Sequence, residues 1–375
     1  MTRQRYGTGS IVEKGPGVWR LRVYVREEHR QVQRTFRGGE RAAGRELAKL
    51  LTEVEAGRFD HTRATVGDLL DRWLLQLEPT RRPSTLLGYR RKLEHDIRPA
   101  LGDVVLAKLR ADQLDQFYRD QLARGLSTAT VRQLHAILAA ALHQAVKWGW
   151  LTTNPTDRAS PPAVRRAPLA VPSVEAVNDL YRIARDTDPV LGTIVALAAL
   201  TGARRGELCA LRWSDVDLAS GHLTIARAIS VADGVTYVGD TKTHAARTIA
   251  LDELGVTVLR DRWAEVVSLS ERAGSPLVAD PYVLSYQAHA GTPVSPDTIS
   301  HKFATVAKLA GVDAHLHSLR HFSVTTLIAA GVDVRTVAER HGHASAVMTL
   351  NVYAGALPER DRAAAGVLGA ALGAK

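Results

Sequence analysis

Thr201-Gly202-Ala203-Arg204-Arg205-Gly206-Glu207-Leu208 follows the apolar run Val190 to Leu200 and leads into a second one, Leu208-Cys209-Ala210-Leu211. Both flanks read as buried helices, so the stretch is a junction inside a mostly helical domain. An arginine there is costly unless an anion answers it. Glu207 follows Arg204 at a spacing that shares a helical face, so it can hold the guanidinium rigid. Two readings stay open from this segment: an internal Arg–Glu brace, or an arginine held ready for an anionic ligand. Arg205 is expected to face solvent.

Outward from this junction, three more polar groups stand out. Gly239-Asp240-Thr241-Lys242-Thr243-His244 lies in a β-rich interruption, His222 to Ile249, and puts Lys242 at an expected hairpin tip. A lysine there is either solvated or a proton donor to a leaving alkoxide. His315-Leu316-His317-Ser318-Leu319-Arg320-His321 places His317 and Arg320 on one face if the segment is helical, so both can meet one phosphate. Metal binding competes, but only Asp313 lies near as a carboxylate, and His-x-His on a loop is weak support for zinc. Arg340-His341-Gly342-His343 precedes Tyr353. A phenol ionises at a pKa of about 10 and is a poor nucleophile at neutral pH unless cations stabilise its anion. Arg204, Arg320 and His343 could supply that field.

Composition narrows the partners. The chain has 375 residues, 45% of them hydrophobic, and a formal net charge of +10. That length suits two or three domains with real cores, and the basic balance favours nucleic acid over an anionic membrane. One cysteine, Cys209, excludes an internal disulfide. With no apolar leader-like segment at the start and no run long enough to span a bilayer, the expectation is a soluble, cytoplasmic protein acting in a bacterial host without a membrane partner.

The expected fold is multidomain and mainly α. Residues 1–60 read as a small β-rich domain: Trp19, Leu21, Val23 and Val25 alternate with Arg20, Arg22, Tyr24 and Arg26, and Val32 to Arg37 form a second strand. A helix follows from Arg41 to about Ala56. About half of the net charge falls in this part, which makes Arg20, Arg22 and Arg26 candidate DNA contacts. Residues 65–155 read as all-helical. Thr65 caps one helix, Ser84 starts a second that presents Arg90, Arg91 and Lys92, and Ser127 caps a long one. Residues 156–172 read as a Pro-rich basic linker, and 173–375 as a mixed α+β, mostly helical domain. The tail from Ala363 reads as a docking helix or a frayed end.

Taken in order, Thr-Gly-Ala-Arg-Arg-Gly-Glu-Leu, Thr-Lys-Thr, His-Ser-Leu-Arg-His, Gly-His and a late tyrosine resemble the tyrosine recombinases, specifically the phage-type integrases. The helical middle is similar to the family's core-DNA-binding domain, and the basic start to its arm-site-binding domain. Against the family pattern, His341 stands where an apolar residue is usual, and Gly355 where histidine is frequent.

The resemblance implies roles. Arg204 and Arg320 grip the non-bridging oxygens of the scissile phosphate, and Tyr353 attacks phosphorus to give a 3′-phosphotyrosyl bond. Lys242 protonates the leaving 5′-oxygen. His317 moves a proton or positions the phosphate, His343 hydrogen-bonds it, and Glu207 buttresses the site. It further implies no cofactor, metal or ATP, double-stranded DNA attachment sites as substrate, and a homotetramer on DNA. An excision factor and a host DNA-bending protein are possible partners. Three other readings stand beside it: a type IB topoisomerase or chromosome-dimer-resolving recombinase, a non-catalytic DNA-binding regulator, and a metal-dependent nuclease built on the histidines.

Overall fold

The computed structural model of the chain describes residues 9–25, 30–55, 64–164, 170–241, 245–343 and 358–373. It divides into two compact units, Met1–Arg166 and Ala167–Lys375. The expected class holds: a small N-terminal sheet, a helical second part, and a mostly helical α+β second unit.

The first unit opens with an antiparallel sheet, β1 (Ser10–Gly15), β2 (Val18–Val25) and β3 (Arg30–Arg37), covered by α1 (Glu40–Glu55). Alternation along β2 buries Leu21 and Val23 against Ala43 and Leu50 of α1. Arg34, directly opposite Leu21, turns to the helix side and pairs with Glu46 at 2.7 Å. β1 lies beyond the expected strands because only its pairing with β2 defines it.

The helical part follows its caps. Thr65 and Asp68 form a reciprocal capping box at the start of α2 (Val66–Leu77). α3 (Pro83–Lys92) starts at Pro83, not at Ser84; proline sits at the first helical position, where its missing N–H costs nothing. A π turn, Leu93–Ile97, carries the chain into α4 (Arg98–Leu101). α5 (Ala111–Ala123) and α6 (Thr128–Lys147) complete the core, with Ser127 accepting from Thr130 N at 3.1 Å. The connector was expected from Thr156, yet Thr156 is buried in a 3-10 turn, Pro155–Arg158, that packs on α5 and α6. Asn154 drives this local closure by accepting from both the backbone and the hydroxyl of Thr156.

The second unit is built around α8 (Pro189–Thr201), buried along nearly its whole length. α7 (Val174–Thr187) precedes it and α9 (Arg205–Cys209) follows. Then come β4 (Val216–Asp217), β5 (His222–Ile225), β6 (Arg227–Ala232), β7 (Val235–Asp240) and β8 (Arg247–Ala250). They form a sheet of order β4-β5-β8 and a separate β6-β7 hairpin. The hairpin turns at Asp233-Gly234, both with positive φ, which fits the right-handed twist of its strands. Lys242 is therefore not at the hairpin tip; it falls between β7 and β8, outside the described residues. α10 (Glu253–Arg272), α11 (Pro296–Leu309) and α12 (Leu316–Ala329) pack on α8, and α13 (Val334–His341) packs on α12. A last helix, Pro358–Gly373, covers the expected tail. Among the described residues, no helix is long and apolar enough to cross a membrane.

Candidate active site

α8 ends at Gly202, whose φ of 60° closes the helix in the left-handed region. The chain then reverses at Ala203 and places Arg204 at the N-cap of α9. Glu207, 1% exposed, accepts from the Arg204 backbone N–H at 2.9 Å and from Arg204 Nη1 at 2.9 Å. Arg204 Nη2 donates to the carbonyl of Gly342 at 3.1 Å. Both readings of this segment meet here: the arginine is braced by Glu207, and it also lines a cavity.

That cavity holds about 640 Å³ and is lined by Arg204, Arg205, His315, His317, Arg320 and His343, with Ala203, Gly206, Leu316 and Ser300 between them. Among the described residues, its lining has arginines and histidines but no carboxylate. Arg205 is exposed, as expected, and it also donates to Ser300 and pairs with Asp297 at 3.3 Å. Arg320 comes from the second turn of α12 and is 3% exposed. It donates to Gly202 O and to His341 O, each at 2.6 Å.

His315 caps α12 by accepting from Ser318 N at 3.1 Å, which leaves His317 in the first turn above Arg320. The His317 and His321 rings meet edge to face with centroids 4.8 Å apart. Burial, then the His321, Arg320, His315 and Arg204 charges, push His317 down to about 4. The residue is exposed on the cavity side, so water screens part of that push. His343 follows the left-handed cap Gly342 and is likewise lowered to about 4, by burial first and then by Arg320, Arg204 and Arg247. Both imidazoles are neutral at pH 7.

Sequence reasoning missed a supporting layer. Arg247 at the start of β8 gives Glu207 a second guanidinium, with Nη2 to Oε2 at 2.6 Å. Burial alone would raise the Glu207 pKa, but the Arg247 hydrogen bond and charge, with the Arg204 N–H and charge, hold it below the usual carboxylate range. Arg340 donates to Leu200 O and Ala250 O, each at 3.1 Å. His341, 0% exposed, contacts Val337 O through Nδ1 at 2.8 Å and Ser323 Oγ through Nε2 at 3.1 Å. A carbonyl only accepts, so Nδ1 carries the proton and the serine hydroxyl donates to Nε2. Only His341 carried a signal in the sequence, as a polar residue at an otherwise apolar position.

The remaining candidates lie elsewhere. Lys242, Tyr353 and Arg26 fall outside the described residues. Arg20 and Arg22 stand on β2, half-buried, on the face opposite Leu21. Arg90 and Arg91 are exposed at the end of α3 and Lys92 half-exposed, with Arg90 held by Glu78 at 2.6 Å. Among the described residues, no group of His, Cys, Asp or Glu could hold a metal.

A mainly helical unit thus brings Arg204, Arg320, His317 and His343 to the wall of one basic cavity. The phage integrase family profile matches residues 173–360, half of the chain, and the N-terminal SAM-like domain of phage integrases matches residues 65–122. The chain belongs to the phage integrase family, the tyrosine recombinases, enzymes that break and rejoin DNA strands. A tyrosine recombinase XerC-like protein of Caldanaerobacter subterraneus subsp. tengcongensis is 23% identical over 338 residues, covering 83% of this chain and 85% of the relative. Two further integrases are matched over 54% and 62% of their own lengths. The fold is that of the Tn1549 transposon integrase in complex with a circular intermediate DNA, at a TM-score of 0.68 and 20% identity, covering 81% of this chain and 99% of that one. It is also that of a lambda integrase tetramer bound to a Holliday junction, at 0.59 and 19%, covering 93% and 96%.

Proposed function

We propose that this recombinase is a site-specific integrase that cuts and rejoins double-stranded DNA through a 3′-phosphotyrosyl intermediate, to insert and in reverse excise a mobile element. The observation that carries the reading is the convergence of Arg204, Arg320, His317 and His343 on one cavity whose described lining holds no carboxylate. A phosphodiester is an anion. Two guanidiniums at its non-bridging oxygens neutralise the charge that grows in the pentacoordinate transition state.

In this reading Tyr353 is the nucleophile. Its phenolic oxygen bonds to phosphorus while the bond from phosphorus to the 5′-oxygen breaks. The phenol's proton goes to neutral His317, and the leaving 5′-oxygen takes a proton from Lys242. His343, also neutral, donates to the phosphate, and Glu207 keeps Arg204 in place. The phosphotyrosyl bond keeps the phosphodiester energy, so a second 5′-hydroxyl can reverse the step without ATP. No metal or other cofactor is required by this set.

The remaining parts follow the same logic. Residues 1–60 act as an arm-type DNA-binding domain through Arg20, Arg22 and Arg26, residues 65–155 as a core-site-binding domain through Arg90, Arg91 and Lys92, and 173–375 as the catalytic domain. The tetramer seen for lambda integrase on a Holliday junction supports a homotetramer of this chain on paired attachment sites. An excision factor and a host bending protein would set direction.

The test is covalent trapping in the presence of chelator, on nicked duplexes taken from DNA flanking the coding gene. Wild-type protein is expected to migrate with labelled DNA on a denaturing gel, and Tyr353→Phe to bind the same duplex without becoming attached. Attachment surviving in Tyr353→Phe would remove the tyrosine from its role, a wild-type protein that binds the duplex without attachment would favour the regulator reading, and cleavage without attachment that chelator abolishes would favour a metal-dependent nuclease.

A further inference from the structure

Arg247 touches the cavity only through other residues, yet three separate contacts tie it to the groups that line it. It donates to both oxygens of Glu207, from Nη2 at 2.6 Å and from Nη1 at 3.3 Å. Its Nε donates to the carbonyl of Arg340 at 3.0 Å. Its guanidinium also lies close against Gly342: a Cβ built on that glycine would stand 2.9 Å from Nη1 and 3.1 Å from Cζ. Gly342 is the residue whose carbonyl takes Arg204 Nη2, and His343 comes next.

We infer that Arg247 is a positioning residue for the phosphate clamp, a role that rests on the recombinase reading above. Glu207 is a single buried carboxylate. With Arg204 alone it would make a closed pair, neutral overall, and the clamp would lose a charge. Arg247 supplies the second cation, so the cluster of two guanidiniums and one carboxylate keeps a net positive charge facing the cavity. At the same time its Nε and its close approach to Gly342 fix the Arg340–Gly342 turn from the side of β8, which sets both the acceptor of Arg204 and the origin of His343. Charge and geometry therefore act through one side chain, and a lysine, a point charge on a flexible stem, can replace only the first.

The experiment is single-turnover adduct formation with wild type, Arg247→Lys and Arg247→Met, on a normal nicked duplex and on one with sulfur at the 5′-bridging position. A thiolate leaves without being protonated, so sulfur repairs a defect in the leaving-group acid and leaves a defect in the phosphate clamp. Arg247→Met is expected to lose adduct formation by on the order of 10²- to 10³-fold, the scale of one lost transition-state donor, with DNA affinity within about threefold of wild type. Arg247→Lys is expected to lose about tenfold, since charge stays and the fork goes. Both deficits should persist on the sulfur substrate. Thermal melting of each variant guards against simple unfolding, and Arg247→Lys keeps the test open if Arg247→Met does not fold. Folded variants with wild-type rates, or rates restored by sulfur, would overturn the inference. If wild type itself forms no adduct, the recombinase reading fails first and this role with it.

Discussion

The guanidinium of Arg320 donates to the carbonyl of Gly202 at 2.6 Å, across 118 positions of sequence. Its other arm holds the carbonyl of His341 at the same distance. One side chain of α12 thus locks the end of α8 and the end of α13, the two turns from which Arg204 and His343 enter the cavity.

Arg320→Lys separates chemistry from architecture. An ammonium cannot span two carbonyls in the planar fork that arginine offers. Adduct formation should fall by on the order of 10²- to 10³-fold, as for a lost transition-state donor, while retention of the duplex on a native gel changes little. Arg320→Ala should also cost stability, about 1–3 kcal/mol for each buried carbonyl left without its donor, read from urea unfolding. Equal losses in binding and cleavage would argue against a transition-state role.

Gly202 admits no side chain. Its φ is 60°, and a Cβ there would stand 2.2 Å from Cδ2 of His341. Gly202→Ala should therefore add left-handed strain of about 1–2 kcal/mol to overpacking of about 1–3 kcal/mol. The double variant Gly202→Ala/His341→Ala should recover the overpacking part relative to His341→Ala alone and leave the strain. Full additivity in a urea-denaturation cycle would show that the two residues do not meet in solution.

The sequence revealed whatever depends on near neighbours. The Arg204–Glu207 brace, the Thr65 cap and the Ser127 cap each act across three residues, so near-neighbour reading finds them; the return half of the Thr65–Asp68 box came only with the structure. The supporting layer could not be read in this way. Arg247 reaches Glu207 across 40 positions and Arg204 reaches Gly342 across 138, pairings that exist only after β8 and α13 are placed. Lys242 was set at a hairpin tip because the strands were seen but their turn was not; Asp233-Gly234 takes that position. Likewise β1 has too weak an alternation to be found without its partner strand.

Glu207→Gln tests the brace directly. The carboxylate is 1% exposed and answers two guanidiniums. An amide of the same shape leaves both cations without a counter-charge in a buried setting, which should cost about 3–5 kcal/mol. Calorimetry of the isosteric variant gives the answer. An unchanged melting temperature would mean that solvent, not Glu207, balances Arg204 and Arg247. Pairing Glu207→Gln with Arg247→Met should cost less than the sum of the two, because one uncompensated charge is removed with its partner.

His341 makes stability depend on pH in a known direction. Burial, with the Arg320, His343 and Arg340 charges, pushes its pKa from 6.5 down to about 3, against a raising effect of the Val337 carbonyl. The unfolded chain therefore takes up this proton first as pH falls. The stability contribution is complete above 6.5 and is lost progressively as pH drops from there through the folded value of about 3. The slope from this one group reaches about 1.4 kcal/mol per pH unit. Protonation at Nε2 would also face the Ser323 hydroxyl with a donor in place of an acceptor. His341→Leu, carried with Ser323→Ala so that no hydroxyl is orphaned, should flatten the fall in melting temperature between pH 6.5 and 4 relative to wild type. The share of that fall that comes from His317 and His343, also lowered from 6.5 to about 4, should remain, as should the loss at lower pH from Glu207 and Asp188, whose carboxyls the fold holds below their ordinary range. Identical profiles for the two proteins would show that His341 is not the group that titrates.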